Sequence, residues 1–113
     1  MNISSIAKQI GMDYDLVLED YCGDVSIVAD KLSTFVGDCA FASLEESVNN
    51  GDEENIRKGA HRIKKLSEKL GIKPLEKSAE QLENAKSSKI AALFASLKEE
   101  YLKIEKVLSA KED

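Results

Sequence analysis

An all-α fold, an antiparallel four-helix bundle with short N-terminal capping helices, is what this sequence predicts, and three observations carry it. Only one proline occurs in 113 residues. No stretch alternates apolar and polar residues as a half-buried strand would. Apolar residues instead recur at helical spacing along almost the whole chain. The length fits one domain with a continuous core that needs no metal or disulfide staple. Residues 1–113 therefore read as a single domain, with 1–23 as capping helices and 24–110 as the bundle.

Ile3, Ile6 and Ile10 mark a short first helix closed by Gly11, and Asp13 is placed to cap a second that carries Tyr14, Val17, Leu18 and Tyr21. A longer helix opens at about Asp24, with Val25, Val28, Leu32, Phe35, Val36 and Cys39 on one stripe. Gly37 inside it costs about 1 kcal/mol relative to Ala and allows a bend or a close approach. Phe41, Leu44 and Val48 continue this helix with a shifted phase until Asn49-Asn50-Gly51-Asp52 breaks it. The next helix begins after Asp52, with Glu53 and Glu54 where negative charge complements the helix dipole. Its seam is Ile56, Ala60, Ile63, Leu66 and Leu70, and Gly71 ends it. Pro74 suits the first turn of a helix carrying Leu75, Ala79 and Leu82, which fades at Lys86-Ser87-Ser88. Ser88 is the expected cap of a last long helix with Ile90, Leu93, Phe94, Leu97, Tyr101, Ile104 and Leu108. Four amphipathic helices joined by short polar turns are best satisfied by an antiparallel bundle.

With 33% charged and 42% hydrophobic residues and a formal net charge of −5, the chain suits a soluble globular protein. The same balance disfavours general binding to nucleic acid or membrane surfaces. Cys22 and Cys39 form no Cys-x-x-Cys pair and are expected to be small buried hydrophobes. Met1-Asn2-Ile3-Ser4-Ser5-Ile6-Ala7-Lys8 lacks a basic leader and a long apolar stretch, and the longest apolar run is Ala91-Ala92-Leu93-Phe94-Ala95. A cytoplasmic location is expected, and Met1 favours a free-standing protein.

His61 is the only histidine. At about 100° per residue it lies one step off the seam residue Ala60, at the boundary or solvent face of its helix. Arg57, Lys58, Arg62, Lys64 and Lys65 surround it, so residues 57–65 carry five cations and no acid in a chain of net charge −5. Imidazole is a neutral nucleophile near pH 7, and a doubly charged phosphoryl group would be favoured among such cations. A solvated charge run with an idle histidine is the plainer reading of the same residues.

The surroundings of His61 resemble the histidine-containing phosphotransfer (HPt) domain, whose pattern is Ala-His-x-Leu-Lys-Gly followed by Leu-Gly and, further on, Leu-Glu. Ala60-His61-Arg62-Ile63-Lys64 supplies the first part, Leu70-Gly71 the second at the expected spacing, and Leu82-Glu83 the third. Asn50-Gly51-Asp52 is similar to the family's Gly-Asp helix junction, and Gly23-Asp24 to the start of its first bundle helix. The resemblance covers residues 13–110. It departs at Lys65, one turn after the histidine, where the family usually has glycine or another small residue and a partner helix comes close.

The resemblance implies a four-helix bundle whose second long helix presents an exposed histidine, and reversible relay of a phosphoryl group between aspartates of response-regulator receiver domains or from a hybrid sensor histidine kinase. His61 would be the phospho-accepting nucleophile, reacting through Nε2 as the family does, and Lys64 would neutralise the phosphate. Arg57, Lys58, Arg62 and Lys65 are candidates for orienting the partner. The chain would be a phosphoryl carrier, not a stand-alone enzyme. It has no Gly-rich phosphate loop and no kinase or ATP motif, hence no cofactor of its own, and Mg2+ is expected on the partner receiver. The family leads us to expect a monomer. The alternative is an HPt-like adaptor that binds a signalling partner but transfers phosphate poorly because of Lys65. A scaffolding bundle is a third reading. A metal at His61 is disfavoured, since neither cysteine lies within a turn of it and cations surround it.

Overall fold

The computed structural model describes residues 3–37 and 39–110. Its elements are α1 Ile3–Ile10, α2 Tyr14–Asp20, α3 Val25–Gly37, α4 Ala40–Asn50, α5 Glu53–Lys69, α6 Lys73–Glu83 and α7 Ile90–Ala110, with a 3-10 turn Ser87–Lys89 before the last. Among the described residues the only β pairing is a single antiparallel bridge. The architecture is an all-α bundle in which α4, α5, α6 and α7 pack in succession, α3 leads into α4, and α1 lies on α7.

Local chemistry sets most boundaries. Asp13 caps α2 by accepting from Leu16 N at 3.3 Å, and Asp52 caps α5 by accepting from Asn55 N at 3.3 Å. Gly51 ends α4 at φ 68°, a left-handed conformation that costs glycine nothing. At the other end of α5, Gly71 takes φ 63° and Ile72 N donates to Ser67 O at 3.0 Å, closing the last turn. Asp24 opens α3, accepting from Ser26 Oγ at 2.6 Å and Ser26 N at 3.0 Å. The Ser26 hydroxyl is the main cause that lowers the Asp24 carboxyl below its ordinary range.

The core runs through Val28, Leu32, Leu44, Ile56, Ala60, Ile63, Leu75, Ala79, Leu82, Leu97 and Ile104, all essentially without solvent contact. The capping helices are tied to one end of it by backbone. Asp13 N donates to Gly71 O at 2.9 Å and Lys73 N to Gly11 O at 3.3 Å, so the α1–α2 turn lies on the α5–α6 turn around the Met12–Ile72 bridge. A side chain at Gly11 would put its Cβ 2.7 Å from the Pro74 ring.

Three expectations change. The long helix from Asp24 to about Val48 is two helices, α3 and α4. At about 100° per residue the buried stripe Val28, Leu32, Phe35 and the buried stripe around Leu44 fall on nearly opposite sides of one straight rod, so a single helix could not bury both. Phe35 and Phe41, on either side of the break, both meet Tyr101 of α7, at ring-centroid distances of 5.9 and 4.1 Å. Val25, at the start of the first stripe, is 41% exposed. The side chain of Val36 lies outside the described residues, as do Met1 and Asn2 of the leader reading.

Second, Cys22 and Cys39 are exposed free thiols, not buried hydrophobes. Both sit at helix ends, Cys22 at φ 57° beyond α2 and Cys39 as the residue before α4. Third, Ser88 lies inside the 3-10 turn and does not cap α7. Its neighbour Ser87 donates instead to both carboxylate oxygens of Glu53, at 2.8 Å each.

Candidate functional site

The site begins with the seam of α5. Ile56, Ala60 and Ile63 are buried, which fixes the rotation of the helix and leaves His61, one residue past Ala60, on the edge facing α6. Its side chain is 51% exposed. The tight α5–α6 turn brings α6 back antiparallel, and His61 and Glu83 are equally far from Ile72 along the chain. Glu83 Oε2 stands 2.8 Å from His61 Nδ1.

This contact assigns the two ring nitrogens. An ionised carboxylate can only accept, so Nδ1 carries the hydrogen and donates it to Glu83. In the neutral ring the lone pair is then on Nε2, which makes no hydrogen bond among the described residues. Position and tautomer together leave a half-exposed imidazole on the bundle surface with an uncommitted Nε2 lone pair, braced from the neighbouring helix.

A second cross-helix contact lies one turn along. Lys64 Nζ is 3.9 Å from Glu80 Oε1, and this pair too is equally far from Ile72 in sequence. Lys64 is only 25% exposed, its stem laid against the α5–α6 seam, whereas Glu80 is 54% exposed. Lys65 points elsewhere: its Nζ pairs with Glu68 at 3.7 Å, three residues further along α5 and away from His61.

At least four of the five cations over residues 57–65 are paired with acids in space. Arg57 pairs with Glu53 at 3.7 Å and Lys58 with Glu54 at 3.4 Å, in addition to the Lys64 and Lys65 pairs. Every one of these acids lies outside the sequence window that looked free of them. The pairs are surface contacts, worth about 0–1 kcal/mol each, so they shape the resting charge more than they hold the fold.

On its other edge α5 meets α4. A Cβ at Gly59 would lie 3.2 Å from Leu44 Cδ1, so the missing side chain lets the two helices come close. Beside this approach runs an open, largely polar groove of about 440 Å³ lined by Ser43, Glu46, Ser47, Asn50, Lys58 and Arg62. Arg62 thus stands on the α4 side of α5, separate from the Lys64 and His61 contacts to α6.

Sequence reading singled out His61 and Lys64 but assigned no role to Glu83 and did not notice Glu80. Both could have been found by folding the α5 and α6 periodicities about the Gly71 turn, which places 61 opposite 83 and 64 opposite 80. Among the described residues no group of three or more His, Cys, Asp or Glu side chains could hold a metal ion, and no helix is long and apolar enough to cross a membrane. Comparison with known proteins finds no matching family model, no matching curated protein and no matching solved structure.

Proposed function

We propose that this chain is a histidine phosphotransfer protein of the HPt kind, in which His61 accepts a phosphoryl group from a receiver-domain aspartate and passes it on in a two-component phosphorelay. The observation that carries the reading is the 2.8 Å contact between His61 Nδ1 and Glu83, on a ring that remains half exposed. It leaves the Nε2 lone pair uncommitted on a half-exposed, oriented ring, which is what in-line attack on phosphorus requires.

In the transfer step the Nε2 lone pair forms the N–P bond while the P–O bond of the aspartyl phosphate breaks, its electron pair returning to the aspartate carboxylate. The ring becomes cationic. The Nδ1 hydrogen stays in its bond to Glu83, and that carboxylate stabilises the charge the ring acquires. Lys64, one turn along the same face, neutralises the bound phosphoryl group. The receiver or hybrid kinase brings the magnesium ion and the electrophilic lysine, as the HPt resemblance implies.

Lys65 marks the second reading, the adaptor that transfers poorly. Its pairing with Glu68 favours the relay, because the stem is carried away from the approach to Nε2. The test is to mix the protein with phosphorylated receivers of its source organism and magnesium. Acid-labile label is expected on the wild type and is lost in His61→Gln. Absence of label on the wild type with every receiver would overturn the relay.

A further inference from the structure

Two contacts tie α5 to α6 at the site, His61–Glu83 at 2.8 Å and Lys64–Glu80 at 3.9 Å. Only the first touches the imidazole. Yet His61 and Lys64 are three residues apart, on the same face of one helix, so the ammonium lies within a side chain's swing of anything carried on Nε2. Glu80 is what it meets while Nε2 is bare.

The exposures say which partner of that pair is free to let go. Lys64 is lodged against the seam, and Glu80 stands more than half in solvent, so water takes over the Glu80 carboxylate at little cost when the ammonium leaves. At 3.9 Å the pair is at the limit of contact. A dianionic phosphoryl group on Nε2 carries about twice the charge of a carboxylate and lies on the same helix as Lys64.

We propose that Glu80 is a positioning residue for Lys64: it draws the ammonium away from His61 while the ring is unmodified and competes with the phosphoryl group for it afterwards. This rests on reading His61 as the phosphoryl acceptor. No covalent bond changes in the exchange; the ammonium moves from one anion to another. Because the move gives up the Glu80 attraction, the phosphoryl group is less completely neutralised than Lys64 alone would leave it. By helical spacing the other charged side chains on this face are Arg57, Lys65 and Glu68 of α5 and Glu76 and Glu83 of α6. Arg57 and Lys65 are drawn to Glu53 and Glu68, and Glu83 is held on the opposite nitrogen of the ring.

The experiment labels the full chain with phosphoramidate, a small-molecule donor that needs no receiver, and titrates the phosphohistidine by 31P NMR. An ammonium near the phosphoryl group favours its doubly ionised form and lowers the midpoint of its second ionisation. Glu80→Gln frees Lys64 and is expected to raise that acid dissociation constant about two- to fivefold, the range of one exposed ion pair. Some of that change comes from simply deleting the Glu80 charge, so the same substitution is repeated in a Lys64→Gln background, where most of the effect should vanish. If Glu80→Gln leaves the midpoint unchanged, or shifts it equally with and without Lys64, the positioning role is wrong while phosphoryl acceptance at His61 stands. If the wild type takes no label at His61, both fall.

Discussion

On the flank of α5 that faces α6, long polar side chains reach across to carboxylates: His61 to Glu83 and Lys64 to Glu80. On the flank that faces α4 the opposite device is used, since Gly59 has no side chain and Leu44 fills the space it leaves. The first flank is wet at its edge and individually weak in each contact. The second is an apolar close approach in which Leu44 has no solvent contact. One helix thus presents two kinds of edge: an apolar close approach toward α4, and toward α6 paired polar side chains at the rim of the buried seam, where groups can exchange partners without unfolding anything.

The contrast makes unequal predictions for the two flanks. Gly59→Leu must displace Leu44 and is expected to cost about 1–3 kcal/mol of stability even after the gain in helix propensity, read from urea denaturation with an unchanged slope. A more stable variant would show that the close approach constrains nothing. Lys65→Gly, between the flanks, should cost about 1 kcal/mol through helix propensity alone. Its phosphotransfer rate should stay within about twofold of wild type, because only an exposed pair is lost. A marked acceleration would instead identify Lys65 as an obstruction and move the comparison in favour of the adaptor.

Glu83→Ala, on the α6 flank, should have the smallest effect on stability, under about 1 kcal/mol. Its consequence is chemical. Nitrogen-15 shifts of the neutral His61 ring should report hydrogen on Nδ1 in the wild type and a redistribution toward Nε2 in the variant. An unchanged tautomer would mean that Glu83 does not orient the ring, and the α6 flank would lose its distinguishing role.

Much of the bundle is legible in the residues because helix signals are short-ranged. Asp13, Gly51, Asp52, Gly71 and Pro74 act within a turn of themselves, and each helix seam is written at its own three- and four-residue spacing. The break between α3 and α4 was signalled as well, by the phase shift at Phe41 next to Gly37. It read as a bend, because periodicity records a change of face and not whether the backbone hydrogen bonds continue across it. Cys22 and Cys39 misled for a related reason. Residue type carries an average burial, and position at a helix end overrides it.

The site divides in the same way. The sequence by itself determined that His61 lies one step off a buried seam and that Lys64 shares its face, since both follow from the pitch of one helix. It also presented a false excess of positive charge, because a nine-residue window omits Glu53, Glu54 and Glu68 on α5 and the acids of α6. Only the tertiary structure decided that Glu83, 22 residues away, holds Nδ1 and leaves Nε2 open, and that Glu80 meets Lys64. Those contacts depend on the register in which α6 packs back against α5. That register is set jointly by the Gly71 turn, the backbone clamp from Gly11 and Asp13, and the interdigitation of two buried seams, and no single stretch of chain contains all three.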